Sequence, residues 1–262
     1  MLKAFISMII LSQGLLFAHC DGCGSHEHAP AGSLTGNVKY QGKIPKPKPL
    51  KMDADPVCGA SHDGRPFSES FIVDENMNLK NVLVWFKNVD YKGTKTETPA
   101  ILDQIGCIYE PHVLGVMKDQ KVIIKNSDAT LHNIHSMAEI NDQFNFAMPK
   151  VVKEKETSFS SVEDPFYIKC DVHPWMKTWV LVSDHPYFAV TDSNGNFSID
   201  GIPAGTYEVG FWQEKLSNLP SKKYEIASNS LPIVVTDTAG DEAGENAQVV
   251  DFEFQKPIKK AK

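Results

Sequence analysis

A chain of 262 residues, 42% hydrophobic and 23% charged, has the composition of an ordinary globular protein and the length of two domains. Its formal net charge of -7 at pH 7 excludes a general nucleic-acid binder, which needs a basic face to displace counterions from phosphates. The tail, residues 257–262, is the exception to the acidic balance.

Residues 1–18 read as an export signal: Lys3 gives a positive start, an apolar run follows to Ala18, and polar sequence begins at once. The run is too short to span a bilayer. Cleavage after Ala18 is one reading, and a lipoprotein with a lipid anchor on Cys20 is the other. Both put the mature chain in the periplasm, outside the cell or on the cell envelope. Residues 19–32 form a flexible Cys/His-rich segment, with Cys20, Cys23, His26 and His28, suited either to loose metal capture or to a simple tail.

Five cysteines in an oxidising compartment cannot all pair, so one is free, intermolecular or bound to something. Cys170 sits among other soft ligands in Cys170-Asp171-Val172-His173-Pro174-Trp175-Met176. Cys58 and Cys107 lie in turn-like sequence without such company, and a Cys58–Cys107 disulfide is expected.

From Leu34 onward the apolar residues alternate with period two, and no dozen residues carry a helical stripe, so the fold class is all-β. Strands are predicted at residues 34–40, 68–73, 81–88, 113–117, 121–126, 133–137, 157–162, 165–170 and 178–183. Turn signals stand between them at Lys118-Asp119, Asn126-Ser127-Asp128 and Glu163-Asp164-Pro165. A further module, residues 185–256, opens with a hairpin over Asp192-Ser193-Asn194-Gly195-Asn196.

In that module, Thr191-Asp192-x-x-Gly195-x-Phe197-x-Ile199-x-x-Ile202-Pro203-Ala204-Gly205-x-Tyr207 resembles the carboxypeptidase regulatory-like family of small immunoglobulin-like β-sandwiches. That family opens on a Gly-x-Val strand, and Gly36-Asn37-Val38 matches it far earlier in the chain. Either residues 33–99 belong to this C-terminal sandwich and residues 100–184 are inserted into it, or two domains follow one another.

A copper ion that cycles between Cu(I) and Cu(II) favours two imidazoles and a thiolate in a plane with a distant thioether on the axis. Cys170, His173 and Met176 provide three such ligands from one loop between two predicted strands, with Pro174 stiffening the loop. His132-Asn133, after the apolar strand that ends in Asn126-Ser127-Asp128, offers the fourth. These motifs together resemble the cupredoxins, in particular those with the short ligand loop of amicyanin and pseudoazurin.

The resemblance implies a Greek-key cupredoxin β-sandwich over residues 100–184 and one type 1 copper ion held by His132, Cys170, His173 and Met176. Asn133 would brace the loop beside Cys170. The electron would leave through an exposed edge of His173, with Pro174 and Trp175 in a docking patch for a redox partner, a cytochrome or a membrane oxidoreductase. Zinc is disfavoured by the thioether of Met176. An electron carrier rather than an enzyme is implied, because the only His-x-His pair for a further copper centre is His26-Glu27-His28. The alternatives are copper storage and a structural protein that binds polysaccharide through Tyr207, Phe211 and Trp212, although alternation turns Tyr207 and Phe211 toward one face. Alternation likewise turns His135 and Met137 away from His132; an extra site of His112 with His135, and Met148 as axial ligand, are the weaker readings.

Overall fold

The computed structural model describes residues 31–87, 89–203, 205–216, 231–235 and 247–255. The expected signal peptide, the Cys/His segment up to residue 30 and the basic tail lie outside the described residues. In chain order the elements are β1 (Ala31–Gln41), α1 (Pro56–Ala60), β2 (Leu83–Lys87), β3 (Ala100–Ile105), β4 (Ile108–Glu110), β5 (Val113–Met117), β6 (Val122–Asn126) and β7 (His132–Ser136). There follow β8 (Asn145–Met148), β9 (Glu154–Thr157), β10 (Glu163–Lys169), β11 (Lys177–Ser183), β12 (Phe188–Val190), β13 (Asn196–Pro203), β14 (Gly205–Trp212), β15 (Leu231–Val235) and β16 (Ala247–Gln255).

The protein is all-β and built as β-sandwiches. In the first, the five-stranded sheet β5-β11-β10-β7-β8 faces the four-stranded sheet β4-β3-β6-β9. Alternation supplies the core: on β6, Val122, Ile124 and Asn126 are buried while Ile123 and Lys125 are less so. Leu102, Ile124, Ile134, Phe159, Ile168 and Val180 meet between the sheets. In the second, the sheets are β13-β1-β16 and β12-β2-β14-β15, closed over Leu34, Val38, Phe86, Phe197, Ile199 and Val209. The strands of the first sandwich thus lie in sequence between β2 and β12 of the second. A third cluster, Leu83, Val113, Leu181 and Trp212, joins strands of both. Gly115 on β5 belongs to this contact, since a Cβ there would collide with the Phe188 ring.

The hairpin from β12 to β13 turns as its sequence demands. Asp192 Oδ1 accepts from the amides of Asn194 and Asn196, each at 2.8 Å, and Gly195 takes φ 72° with a Cβ position only 2.6 Å from the Val38 carbonyl oxygen.

Two strand predictions and one turn prediction need correction. Residues 68–73 form turns rather than a strand, because Ser68 and Ser70 bond each other locally and isolated bridges such as Val73↔Leu79 do the pairing. The strand expected at 157–162 is instead β9, which ends at Thr157; its Glu154, Lys155 and Glu156 carry no apolar pattern, since it is a charged edge strand paired to Lys125 and Lys121 of β6 and its approach. Glu163-Asp164-Pro165 opens β10 instead of a turn, with a register shift between Glu163 and Phe166 that accommodates the proline.

After β1 the chain crosses to one end of the first sandwich. There Asp55 caps the short helix α1, Met52 and Cys58 enter the first core, and Cys58 is joined to Cys107 by the expected disulfide.

Candidate metal centre

β7 pairs antiparallel with β10 in the register Ile168↔Ser136 and Lys169↔His135, so the start of β7 and the chain leaving β10 meet at the same end of the sheet. His132 stands at the first of these and Cys170 at the second. The loop from Cys170 to Met176 closes on itself: the Cys170 amide donates to the Met176 carbonyl at 3.2 Å, and the Met176 amide to the His173 carbonyl at 2.9 Å.

This brings three ligand atoms together. His132 Nδ1 lies 2.9 Å from His173 Nδ1, Cys170 Sγ lies 3.8 Å from His173 Nδ1, and all three atoms fall within 4.8 Å of one another. Atoms sharing one ion through bonds of about 2.0–2.3 Å sit roughly 3–4 Å apart, so the cluster has the size and donor set for a single soft or borderline metal. His132 is 0%, His173 2% and Cys170 2% exposed, so the cluster is shielded from solvent. Met176 is buried in the core that packs beneath. Met148, opposite His132 on β8, uses its sulfur to accept from Gln104 Nε2 at 3.3 Å.

The electrostatics lower the pKa of the Cys170 thiol. Burial opposes charge on Cys170, but the hydrogen bond with His132 and amide donors around the sulfur outweigh it and hold the thiol below its ordinary pKa. Burial also opposes charge on His132, yet Asp128 and Cys170 raise its pKa to about 8. For His173 burial prevails, and its pKa is lowered.

Asn133 Oδ1 accepts from the Asp171 amide at 2.7 Å and lies 3.3 Å from Cys170 Sγ, and its own carbonyl accepts from the buried Tyr109 hydroxyl at 2.7 Å. The outer nitrogens of the histidines each meet a carboxylate: His132 Nε2 is 2.8 Å from Asp128 Oδ2, and His173 Nε2 is 3.1 Å from Asp55 Oδ2. In the sequence Asp128 stands out only as a turn residue and as the end of the polar stretch before His132-Asn133, and nothing there points to Asp55, which lies 118 positions from the histidine it meets.

His173 does not present the expected exposed edge. The segment around α1 covers it, with the Cys58 sulfur 3.7 Å from its Nε2. Trp175 is half-buried, its ring 5.0 Å from that of His173 and its Nε1 donating to the Cys107 carbonyl at 2.9 Å, while Pro174 is exposed. His112 and His135 do not come together: the first pairs with Glu214 at 2.9 Å and the second with Asp171 at 2.8 Å. In the second sandwich Trp212 is buried with its ring 4.7 Å from Trp179, and Tyr207 and Phe211 pack toward Phe86 and Phe197. No helix among the described residues is long and apolar enough to cross a membrane.

No family model and no curated protein matches the chain. Solved structures similar to part of it include a novel purple cupredoxin from Nitrosopumilus maritimus, at 24% identity over 32% of this chain and 99% of that one, with a TM-score of 0.28. An amicyanin point mutant in its oxidised state is 23% identical over 34% of this chain and 85% of that one, with a TM-score of 0.30. A copper-containing nitrite reductase from Thermus scotoductus is 19% identical over 37% of this chain and 25% of that one, with a TM-score of 0.29.

Proposed function

We propose that this chain is an exported electron carrier that holds one type 1 copper ion through His132 Nδ1, His173 Nδ1 and Cys170 Sγ, with Met176 as the axial thioether. The observation that carries this reading is the convergence of two imidazole nitrogens and one thiol within 4.8 Å in a buried cluster built from β7 and the loop after β10. When bound, copper supplies a one-electron couple. The chain's own residues hold the geometry: sheet pairing fixes His132, the closed loop fixes Cys170 and His173, and Asn133 braces the loop from behind. Ligands held in this way need move little when an electron arrives, and a buried set of these donors suits the transfer of electrons. The partner is a redox protein that docks by a small transient contact.

The test is the absorption spectrum of the copper-loaded protein. Oxidised wild type shows an intense visible band from the thiolate–copper bond, and Cys170→Ala abolishes it. Met176→Leu keeps the band and raises the reduction potential, because loss of a weak donor destabilises Cu(II) more than Cu(I). Binding of Cu(II) without that band, or an unchanged spectrum in Cys170→Ala, overturns the ligand assignment.

A further inference from the structure

We infer that Asp55 and Asp128 are positioning residues of the metal centre, each holding one ligand imidazole by its outer nitrogen, and that the Cys58–Cys107 disulfide anchors both carboxylates. The assignment of their effect on copper rests on the reading above.

An imidazole that binds a metal through Nδ1 must carry its proton on Nε2, and an acceptor placed at Nε2 selects that tautomer. Both histidines of the cluster have such an acceptor. Asp128 Oδ2 sits 2.8 Å from His132 Nε2, and Asp55 Oδ2 sits 3.1 Å from His173 Nε2. With the outer nitrogens occupied, the two Nδ1 atoms are left facing each other and Cys170.

The carboxylates are themselves tightly held, and by the same covalent bond. Asp128 accepts from the amides of Gly106 and Cys107, both at 2.8 Å; these residues have φ of 62° and 55°, which points consecutive N–H groups at one anion. Asp55 accepts from the amides of Val57 at 2.7 Å and Cys58 at 3.3 Å, and from the Thr130 hydroxyl at 2.9 Å. One cysteine amide thus holds each aspartate, and the two cysteines are bonded to one another. The crossing segment therefore brings to the first sandwich both a cover for His173 and the anion that orients it.

A carboxylate behind a ligand histidine raises the basicity of the imidazole, and its removal typically costs about 10–100-fold in metal affinity. Cu(II), the harder ion, gains more from this than Cu(I). Each tenfold loss confined to Cu(II) raises the potential by about 59 mV.

The experiment uses the full chain with Asp55→Ser and Asp128→Asn. Serine still caps α1 but is too short to reach His173, so helix capping and imidazole contact are separated. Cu(II) and Cu(I) affinities are measured by competition with chelators, and the tautomers of His132 and His173 are read by long-range 1H–15N NMR in the metal-free protein, at a pH where the same spectra show both rings to be neutral. Expected are Nε2-protonated rings in wild type, loss of that tautomer at His173 alone in Asp55→Ser and at His132 alone in Asp128→Asn. Each variant should also lose about 10–100-fold in Cu(II) affinity. The Cys58→Ala/Cys107→Ala protein should show both tautomer changes. Unchanged tautomers with less than about a tenfold loss in affinity overturn the positioning role. A wild type without the thiolate band overturns the copper reading instead, and the carboxylate role then stands or falls on the tautomers.

Discussion

Removal of the Cys58–Cys107 disulfide in Cys58→Ala/Cys107→Ala is expected to cost a large share of the stability of the protein. The bond closes a loop of sequence separation 49, and the chain-entropy relation for that length gives about 4 kcal/mol at 25 °C. A domain is typically stable by about 5–15 kcal/mol, so the loss is of the same order as the whole margin. Packing adds to it, because Cys58 is 1% and Cys107 0% exposed and both belong to the first core. The loop also passes through β2, a strand of the second sandwich, before returning, so its release loosens the crossing segment that carries α1. Guanidinium unfolding of metal-free protein, followed by tryptophan fluorescence and circular dichroism, measures the cost. Trypsin cleavage after Lys51, exposed on the crossing segment, reports its local release. A double variant that unfolds within about 1 kcal/mol of wild type and is cut no faster would refute the reasoning.

Two further perturbations test the frame around the site. Glu163 is buried and accepts from the amides of Glu139, Ile140 and Asn141 and from Asn141 Nδ2 at 2.6–3.1 Å; Glu163→Gln should cost about 2–3 kcal/mol in an unfolding titration. Burial opposes the charge, but these donors hold the carboxyl below its ordinary 4.5. Its contribution is therefore complete above pH 4.5 and fades as the pH falls through the lower folded value, where wild type and variant should converge. Gly115→Ala drives a methyl group into the Phe188 ring and should destabilise by about 1–3 kcal/mol, with recovery when Phe188→Ala is added; strictly additive costs in that cycle would show that the two residues do not meet.

The parts of this protein legible in its sequence are those encoded at short range. Period-two alternation marks most strands, and the spacing of Cys170 and His173 between two predicted strands marks the loop that the structure brings to His132. His132 is legible because it follows an apolar strand and its polar turn. The Cys58–Cys107 bond is legible because Cys170 has another environment. Edge strands such as β9, in which Glu154 and Glu156 are exposed and the half-buried positions are Lys155 and Thr157, leave no apolar period to read. Two features were decided by the tertiary structure. Gly36-Asn37-Val38 left open whether the first strand belongs to the C-terminal sandwich, and the pairing of β1 with β13 and β16 selects that arrangement; Asp55 reaches His173 from 118 positions away. Sheet pairing between strands distant in the chain, and the fit of a carboxylate to one nitrogen of a buried ring, depend on where surfaces meet after folding, so a local pattern of residues leaves the first open and does not record the second.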